Sequence, residues 1–63
     1  MSFQEGDEVY YVGPIRWLSY LDGEVVANNT GSLLVMWHTK DGKYSHFGSY
    51  LPVDLAHTKS NYA

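Results

Sequence analysis

Short runs of β-branched and aromatic residues, separated by turn-forming residues, constrain this chain more than any other feature of its sequence. The runs lie at residues 6–13, 24–27, 33–39 and 43–47. The breaks include Asn28-Asn29-Thr30-Gly31 and Lys40-Asp41-Gly42, which are typical of turns. No stretch keeps a 3.6-residue apolar period, so the sequence predicts an all-β protein.

The last part of the chain predicts a 3₁₀ turn and a brief fifth strand. Residues 48–54 contain Pro52 and are too short for a helix, and a final strand is expected at residues 55–57. Five short strands favour a closed barrel, because closure removes the edges through which sheets aggregate. Residues 1–57 are therefore expected to form a single domain and residues 58–63 a flexible tail.

The connection between Gly13 and Asp22 is unusually apolar for a loop. Its large apolar residues are Ile15, Trp17, Leu18, Tyr20 and Leu21. Two interpretations stay open. The segment folds back as a helical turn with Pro14 at its first position and caps one end of the barrel, or it presents an apolar patch to another chain or ligand.

Charge and cysteine content exclude several functional classes. The net charge of −3 lacks the basic footprint of a protein that binds a phosphate backbone. The absence of cysteine excludes thiol catalysis, disulfides and sulfur-ligated zinc. No apolar run reaches the roughly 18 residues of a membrane span, and residues 1–5 do not resemble a signal peptide. We expect a soluble, cytoplasmic protein without membrane association.

Aromatic residues are in excess. They make up 16% of the 63 residues, and six are tyrosines. A core of this size cannot bury so many rings, so several are expected at the surface, where tyrosine and tryptophan suit contact with a partner. The alternative is that a small β-domain uses large rings to cover its limited surface.

The register of the hairpin around Asp41-Gly42 decides which residues share a face. A two-residue loop places His46 opposite Trp37 and groups Phe47 with Met36 and Leu34. A three-residue loop with a bulge at Gly42 instead moves every side chain of the fourth strand to the other face. We prefer the second register, because it gathers Phe47 with Trp37 in the core and avoids two opposed lysines.

In the preferred register, one face carries Leu34, Met36, His38, Tyr44 and His46, which is too apolar for a solvated surface. This face is the predicted contact surface, unless residues 14–21 cover it internally. The predicted partner-binding residues are Trp17, Tyr20, Met36, His38, Tyr44, His46 and Tyr50.

Several short motifs resemble the SH3-like small barrels of the Tudor/KOW type that occur in short bacterial and phage proteins. Gly6-Asp7-Glu8-Val9 resembles their G-D-x-V opening, and Gly23-Glu24-Val25-Val26 resembles their second strand. Val35-Met36-Trp37, Asp41-Gly42 and the Leu55 region are similar to their closing segments. The resemblance covers residues 5–57 and implies a five-stranded SH3-like barrel with a 3₁₀ turn before the last strand.

The residue types that could carry chemistry are scattered. His38, His46 and His57 invite a zinc site, but no carboxylate shares the predicted face with His38 and His46 to complete one. The acidic residues lie mainly at turns and strand starts rather than in pairs. We therefore expect no metal, no cofactor and no enzymatic activity.

The functional expectation is a non-enzymatic protein–protein interaction module that binds a protein partner or associates with itself as a homodimer. A phage-type protein that interferes with its host would suit such a short barrel. The alternative is a nucleic-acid-binding barrel that stacks bases on its rings, although the acidic charge argues against it.

Overall fold

The structure, a computed structural model, describes residues 3–58 as five strands and two 3₁₀ turns. The strands are β1 (Glu8–Tyr11), β2 (Asp22–Asn29), β3 (Ser32–His38), β4 (Ser45–Tyr50) and β5 (Leu55–His57). The first 3₁₀ turn spans Arg16–Tyr20 and the second spans Pro52–Asp54. The predicted all-β class, five strands and 3₁₀ turn before the last strand are confirmed. The predicted flexible tail lies outside the described residues, apart from Thr58.

The strands form one antiparallel sheet in the order β4-β3-β2-β1-β5. This arrangement fits an SH3-like fold coarsely. Among residues 3–58 no ladder joins β4 to β5, so these two strands are the edges of the sheet and the expected closure into a barrel is not confirmed.

Large rings packed over glycines fill the core. Trp37 and Val35 are fully buried on the core face of β3, and Gly23 lies directly opposite Trp37 on β2. A Cβ atom on Gly23 would lie only 2.6 Å from the Trp37 ring. Tyr50 covers Gly48 in the same way and packs edge-on against Trp37, with ring centroids 5.5 Å apart. Because Gly23 and Gly48 have no side chains, the rings of Trp37 and Tyr50 can occupy the space above them.

The connection between β1 and β2 covers part of this core. Leu18, in the middle of the first 3₁₀ turn, is buried, whereas Trp17 and Tyr20 on either side are exposed. The segment therefore buries one apolar side chain against the core and exposes others, and contact of the exposed side chains with a partner stays a prediction. The prediction for Pro14 is wrong: the turn begins at Arg16, with Ile15 as its N-cap residue.

The N-terminal segment is held against the sheet. Phe3 is buried and stacks on the His57 ring at 4.5 Å, and the Asn28 amide donates a hydrogen bond to the Phe3 carbonyl. His57 Nε2 lies 2.9 Å from the Asp7 carboxylate. The backbone N–H of Gln4, followed by the His57 ring, lowers the pKa of Asp7 below its ordinary value of 3.8. These contacts link the first described residues to β2 and β5.

Within residues 3–58, neither helical segment has the length and apolar character that crossing a membrane requires.

Candidate functional site

The β3–β4 hairpin closes through a four-residue loop, residues 40–43. The Thr39 N–H donates to the Tyr44 carbonyl at 3.0 Å, and Gly42 adopts a φ of 76°. The Asp41 carboxylate accepts hydrogen bonds from the Thr39 hydroxyl at 2.6 Å and from the Lys43 N–H at 3.0 Å. The Thr39 bond, followed by the Lys43 bond, lowers the pKa of Asp41 below 3.8. Hydrogen bonds that the Asp41 carboxylate accepts from Thr39 and Lys43 thus stabilise this four-residue loop.

The observed register corrects the preferred prediction. Trp37 pairs with His46, Met36 with Phe47 and His38 with Ser45, which is the pairing that a two-residue loop also gives. The preferred three-residue loop is therefore wrong, and so is the shared face that it implied. His46 lies on the core side of the sheet with Trp37, while Met36 and His38 lie on the opposite side with Phe47.

Trp17, Tyr44 and His46 form the first of two exposed apolar surfaces, which we call the aromatic rim. The Trp17 and His46 rings are 5.6 Å apart, and the Tyr44 and His46 rings are 5.7 Å apart. Trp17 is 56% exposed and Tyr44 is 55% exposed, whereas His46 is half-buried. The first 3₁₀ turn thus brings Trp17 against His46 of β4, which is distant in sequence, and Tyr44, just before β4, completes this group of three predicted site residues.

Tyr20 and Tyr50 differ in their surroundings. Tyr20 is exposed on the same 3₁₀ turn as Trp17. Tyr50 is half-buried and packs edge-on against Tyr11 and Trp37, with ring centroids 5.9 and 5.5 Å away. The Tyr50 ring therefore contributes to the core and leaves only part of its surface for a partner.

Val26, Leu34, Met36 and Phe47 form the second surface, which we call the outer face. Phe47 is 60% exposed, and Leu34 and Met36 beside it on β3 are half-buried. A β-bulge between Val25 and Ala27 adds Val26, which is also exposed. The first 3₁₀ turn does not lie over this surface, because its Trp17 contacts His46 on the other side of the sheet.

Phe47 and Val26 were missed as surface residues. The preferred register assigned Phe47 to the core, whereas the rejected register had grouped it with Met36 and Leu34. The bulge at Val26 has no distinct signal in a run of β-forming residues.

Charged residues border the outer face on the β1–β2 side. Glu24 lies opposite Met36, and Asp22 lies opposite His38. Lys40 Nζ is 3.2 Å from the Asp22 carboxylate, in an exposed ion pair of the kind that contributes little to stability. A shallow cleft of about 280 Å³ lies here, lined by Glu8, Asp22, Gly23, Glu24, His38 and Thr58.

The histidines are distributed over the sheet. His38 lies on the outer side of β3, His46 on the core side of β4 and His57 on edge strand β5. Among residues 3–58, no three His, Asp or Glu side chains group closely enough to hold a metal ion.

Two buried polar atoms border the aromatic rim. Within the described part of the chain, Trp37 Nε1 and His46 Nδ1 have no hydrogen-bond partner. An unsatisfied buried donor or acceptor costs about 1–3 kcal/mol.

Comparison of the chain with protein-family models, with curated proteins and with solved structures finds no match.

Proposed function

We propose that this chain is a non-enzymatic protein-interaction module, built on an SH3-like barrel of the Tudor/KOW type, that binds a protein partner through its exposed aromatic residues. The observation that supports this proposal is the aromatic rim, where two large rings remain more than half exposed beside a half-buried histidine. Exposed rings grouped on one rim are typical of interaction sites.

The exposed area is large enough to matter for binding. A fully buried aromatic side chain removes about 150–250 Å² from water, so covering the exposed parts of Trp17 and Tyr44 would remove roughly 80–140 Å² each. At about 25 cal/mol per Å² this gives roughly 2–3 kcal/mol for each ring before the costs of association. These two side chains have the size and position of binding hot spots.

The same geometry argues against catalysis. Titratable side chains do line the cleft, but Asp22 is paired with Lys40, and the cleft is open and small for a substrate pocket. Acid–base catalysis needs two positioned titratable groups that face the same reacting atom. The outer face and the aromatic rim carry apolar and aromatic groups that suit contact rather than proton transfer.

The test compares residues of the aromatic rim with an exposed apolar residue outside it. Tagged wild-type protein and the variants Trp17→Ser and Tyr44→Ser are used to capture proteins from a lysate, and the captured partner is purified and titrated. The matched control is Val53→Ser, since Val53 is 78% exposed on the second 3₁₀ turn. We expect each rim variant to weaken binding at least ~10-fold, which corresponds to about 1.4 kcal/mol, and the control to bind like wild type.

A salt titration of the same complex distinguishes protein binding through apolar contacts from the alternative, which is nucleic-acid binding. Contacts with a phosphate backbone weaken steeply with ionic strength, whereas apolar contacts do not. The proposal predicts that affinity changes little between about 50 and 200 mM salt. Rim variants that bind as tightly as wild type, or a captured nucleic acid whose binding falls steeply with salt, would contradict the proposal.

A further inference from the structure

The free edge of β4 lacks the devices that usually protect a sheet edge. Edge strands avoid pairing with other chains by being short, charged, bulged or interrupted by proline. β4 has six residues, Ser45–Tyr50, none of them a lysine, arginine, aspartate, glutamate or proline, and its ladder to β3 is regular over the whole length. The other edge, β5, has only three residues. Among the described residues, no strand pairs with the outward side of β4.

The hydrogen bond that closes the hairpin shows which backbone groups point to this edge. Thr39 and Tyr44 form a hydrogen-bonded pair. Such pairs alternate along an antiparallel ladder, so Trp37–His46 and Val35–Gly48 are hydrogen-bonded pairs too. The intervening β4 residues therefore direct both their N–H and C=O groups outward: Ser45, Phe47 and Ser49.

The pairing of β3 with β2 independently shows which β3 residues bond towards β4. The Val25 N–H donates to Asp7 and the Val25 carbonyl accepts from Gly6, so the backbone of Val25 bonds towards β1. Val35 lies opposite Val25 and must therefore bond towards β4, as the hairpin indicates.

We propose that β4 pairs antiparallel with β4 of a second copy across a two-fold axis at Phe47, which joins the two sheets into one. Residues that lie opposite each other in a sheet have their side chains on the same face. The residues whose backbone groups point to the free edge must therefore pair with the same set of residues on the second copy. Pairing Phe47 with Phe47 and Ser45 with Ser49 satisfies all three on each copy. Three hydrogen-bonded pairs with two bonds each give six N–H···O bonds.

The side chains fit this register. Opposed Cα atoms of a hydrogen-bonded pair are about 5.5 Å apart. The two Phe47 side chains therefore lie side by side where the outer faces of the two copies join. On the core side, Gly48 of one copy faces His46 of the other, and glycine has no side chain to obstruct it. A second copy thus covers part of the exposed Phe47 ring. It also supplies hydrogen-bond partners for the outward N–H and C=O groups of β4.

The contact area predicts a weak dimer. Standard interfaces cover about 800 Å² on each partner, roughly a fifth of this chain's 4256 Å² surface. An edge of six residues is about 20 Å long and covers less than that. We therefore expect a dissociation constant of about 1–100 µM. Because β4 contains no lysine, arginine, aspartate or glutamate, added salt is expected to leave this constant unchanged or to lower it by screening the net charge of −3 on each copy.

Sedimentation of the wild-type chain from about 1 to 500 µM tests the proposal. We expect a monomer–dimer equilibrium that Phe47→Lys abolishes and that the exposed control Val53→Lys leaves unchanged. An N-methyl group at Phe47, introduced by chemical synthesis, removes the outward N–H but keeps the ring, and is expected to abolish the dimer as well. Circular dichroism and thermal unfolding of each variant show that it remains folded.

A cross-linking experiment tests the register independently, because the natural chain has no cysteine. Ser45→Cys and Ser49→Cys are mixed and oxidised. The proposed pairing places residue 45 of one copy opposite residue 49 of the other, within the 4.4–6.8 Å Cα separation that a disulfide spans. The mixed disulfide is therefore expected to dominate over the disulfides within each variant.

The proposal would be overturned by a monomer at every concentration, by a dimer that survives both changes at Phe47, or by disulfides formed in random proportions. A dimer that is lost in Trp17→Ser but kept in Phe47→Lys would place self-association at the aromatic rim and would also overturn it. The proposed function at the rim does not depend on this dimer. Loss of partner binding in Trp17→Ser is measured separately from self-association.

Discussion

Replacing Gly23 by alanine should destabilise the protein, although strand propensity predicts the opposite. Gly23 is buried on β2 between Val9 and Trp37. A Cβ atom there would lie 2.6 and 2.7 Å from two Trp37 ring carbons and 3.0 Å from Val35 Cγ1. Real Cβ atoms do not approach other atoms this closely, so the ring of a fully buried tryptophan would have to move.

The magnitude follows from two opposing effects. Alanine is more favourable than glycine inside a strand by roughly 0.5–1 kcal/mol. Forcing an extra carbon into a well-packed core costs typically 1–3 kcal/mol. We expect a net loss of about 1–2 kcal/mol in the free energy of unfolding, which lowers the Tm by about 5–15 °C for a domain of this size.

The assay is thermal and urea unfolding of wild type, Gly23→Ala and Gly23→Val, followed by circular dichroism. Glu24→Ala is the matched control, because Glu24 is the next residue of β2 and is exposed on the opposite face; its effect should stay within about 0.5 kcal/mol. Valine adds more atoms than alanine and should destabilise more, whereas strand propensity ranks valine above both. A Tm that rises from glycine to alanine to valine would refute the packing of Trp37 over Gly23.

Other predictions concern charge and turns. The lowered pKa of Asp7 means that its carboxylate stabilises the folded state above about pH 4 and that this contribution is lost as the pH falls through the lowered value. Acid titration of Asp7→Asn should therefore show a smaller loss of stability below pH 4 than wild type shows, and an unchanged acid transition would contradict the role of the Gln4 and His57 bonds. Gly42→Ala should cost about 1 kcal/mol in chemical unfolding, since nothing lies within 4 Å of the new methyl group but φ is 76°. Gly42→Asn should cost less, because asparagine tolerates this conformation better, and equal costs would contradict the explanation.

The strands could be predicted from the sequence because each depends on local chemistry. β-Branched and aromatic runs end at Asn28–Gly31 and at Asp41-Gly42, and Pro52 begins the second 3₁₀ turn. β5 was predicted with the bounds that the structure shows. The first 3₁₀ turn was predicted only as one of two interpretations, because Leu18 and its neighbours are all apolar and only the packed structure distinguishes the buried residue.

The hairpin register could not be predicted, because two different loops end at the same Gly42. The observed loop is neither of these: the Thr39 hydroxyl and the Asp41 carboxylate bond across a four-residue loop, residues 40–43, which gives the same strand pairing as the two-residue loop. Gathering apolar residues on one face was also a misleading criterion. Trp37 and Tyr50 lie over Gly23 and Gly48 and already fill the core, so Phe47 is not needed there and faces outward.

The predicted site residues are grouped differently from the prediction. Trp17, Tyr44 and His46 do come together, but by way of the first 3₁₀ turn and the core side of β4. Met36 and His38 lie on the other side of the sheet, where Phe47 joins them. The assignment of these residues to partner binding stays a prediction.

The separation of the aromatic rim from the outer face depends on the β3–β4 register, which proton NMR measures directly. Residues of non-hydrogen-bonded antiparallel pairs have their Cα atoms only about 4.5 Å apart and give strong contacts between their α-protons. The observed register predicts such contacts for Met36–Phe47 and His38–Ser45. In the three-residue-loop register the non-hydrogen-bonded pairs would be Met36–His46 and His38–Tyr44. Strong α-proton contacts for these two pairs would place Phe47 in the core and merge the two surfaces, which would contradict the account.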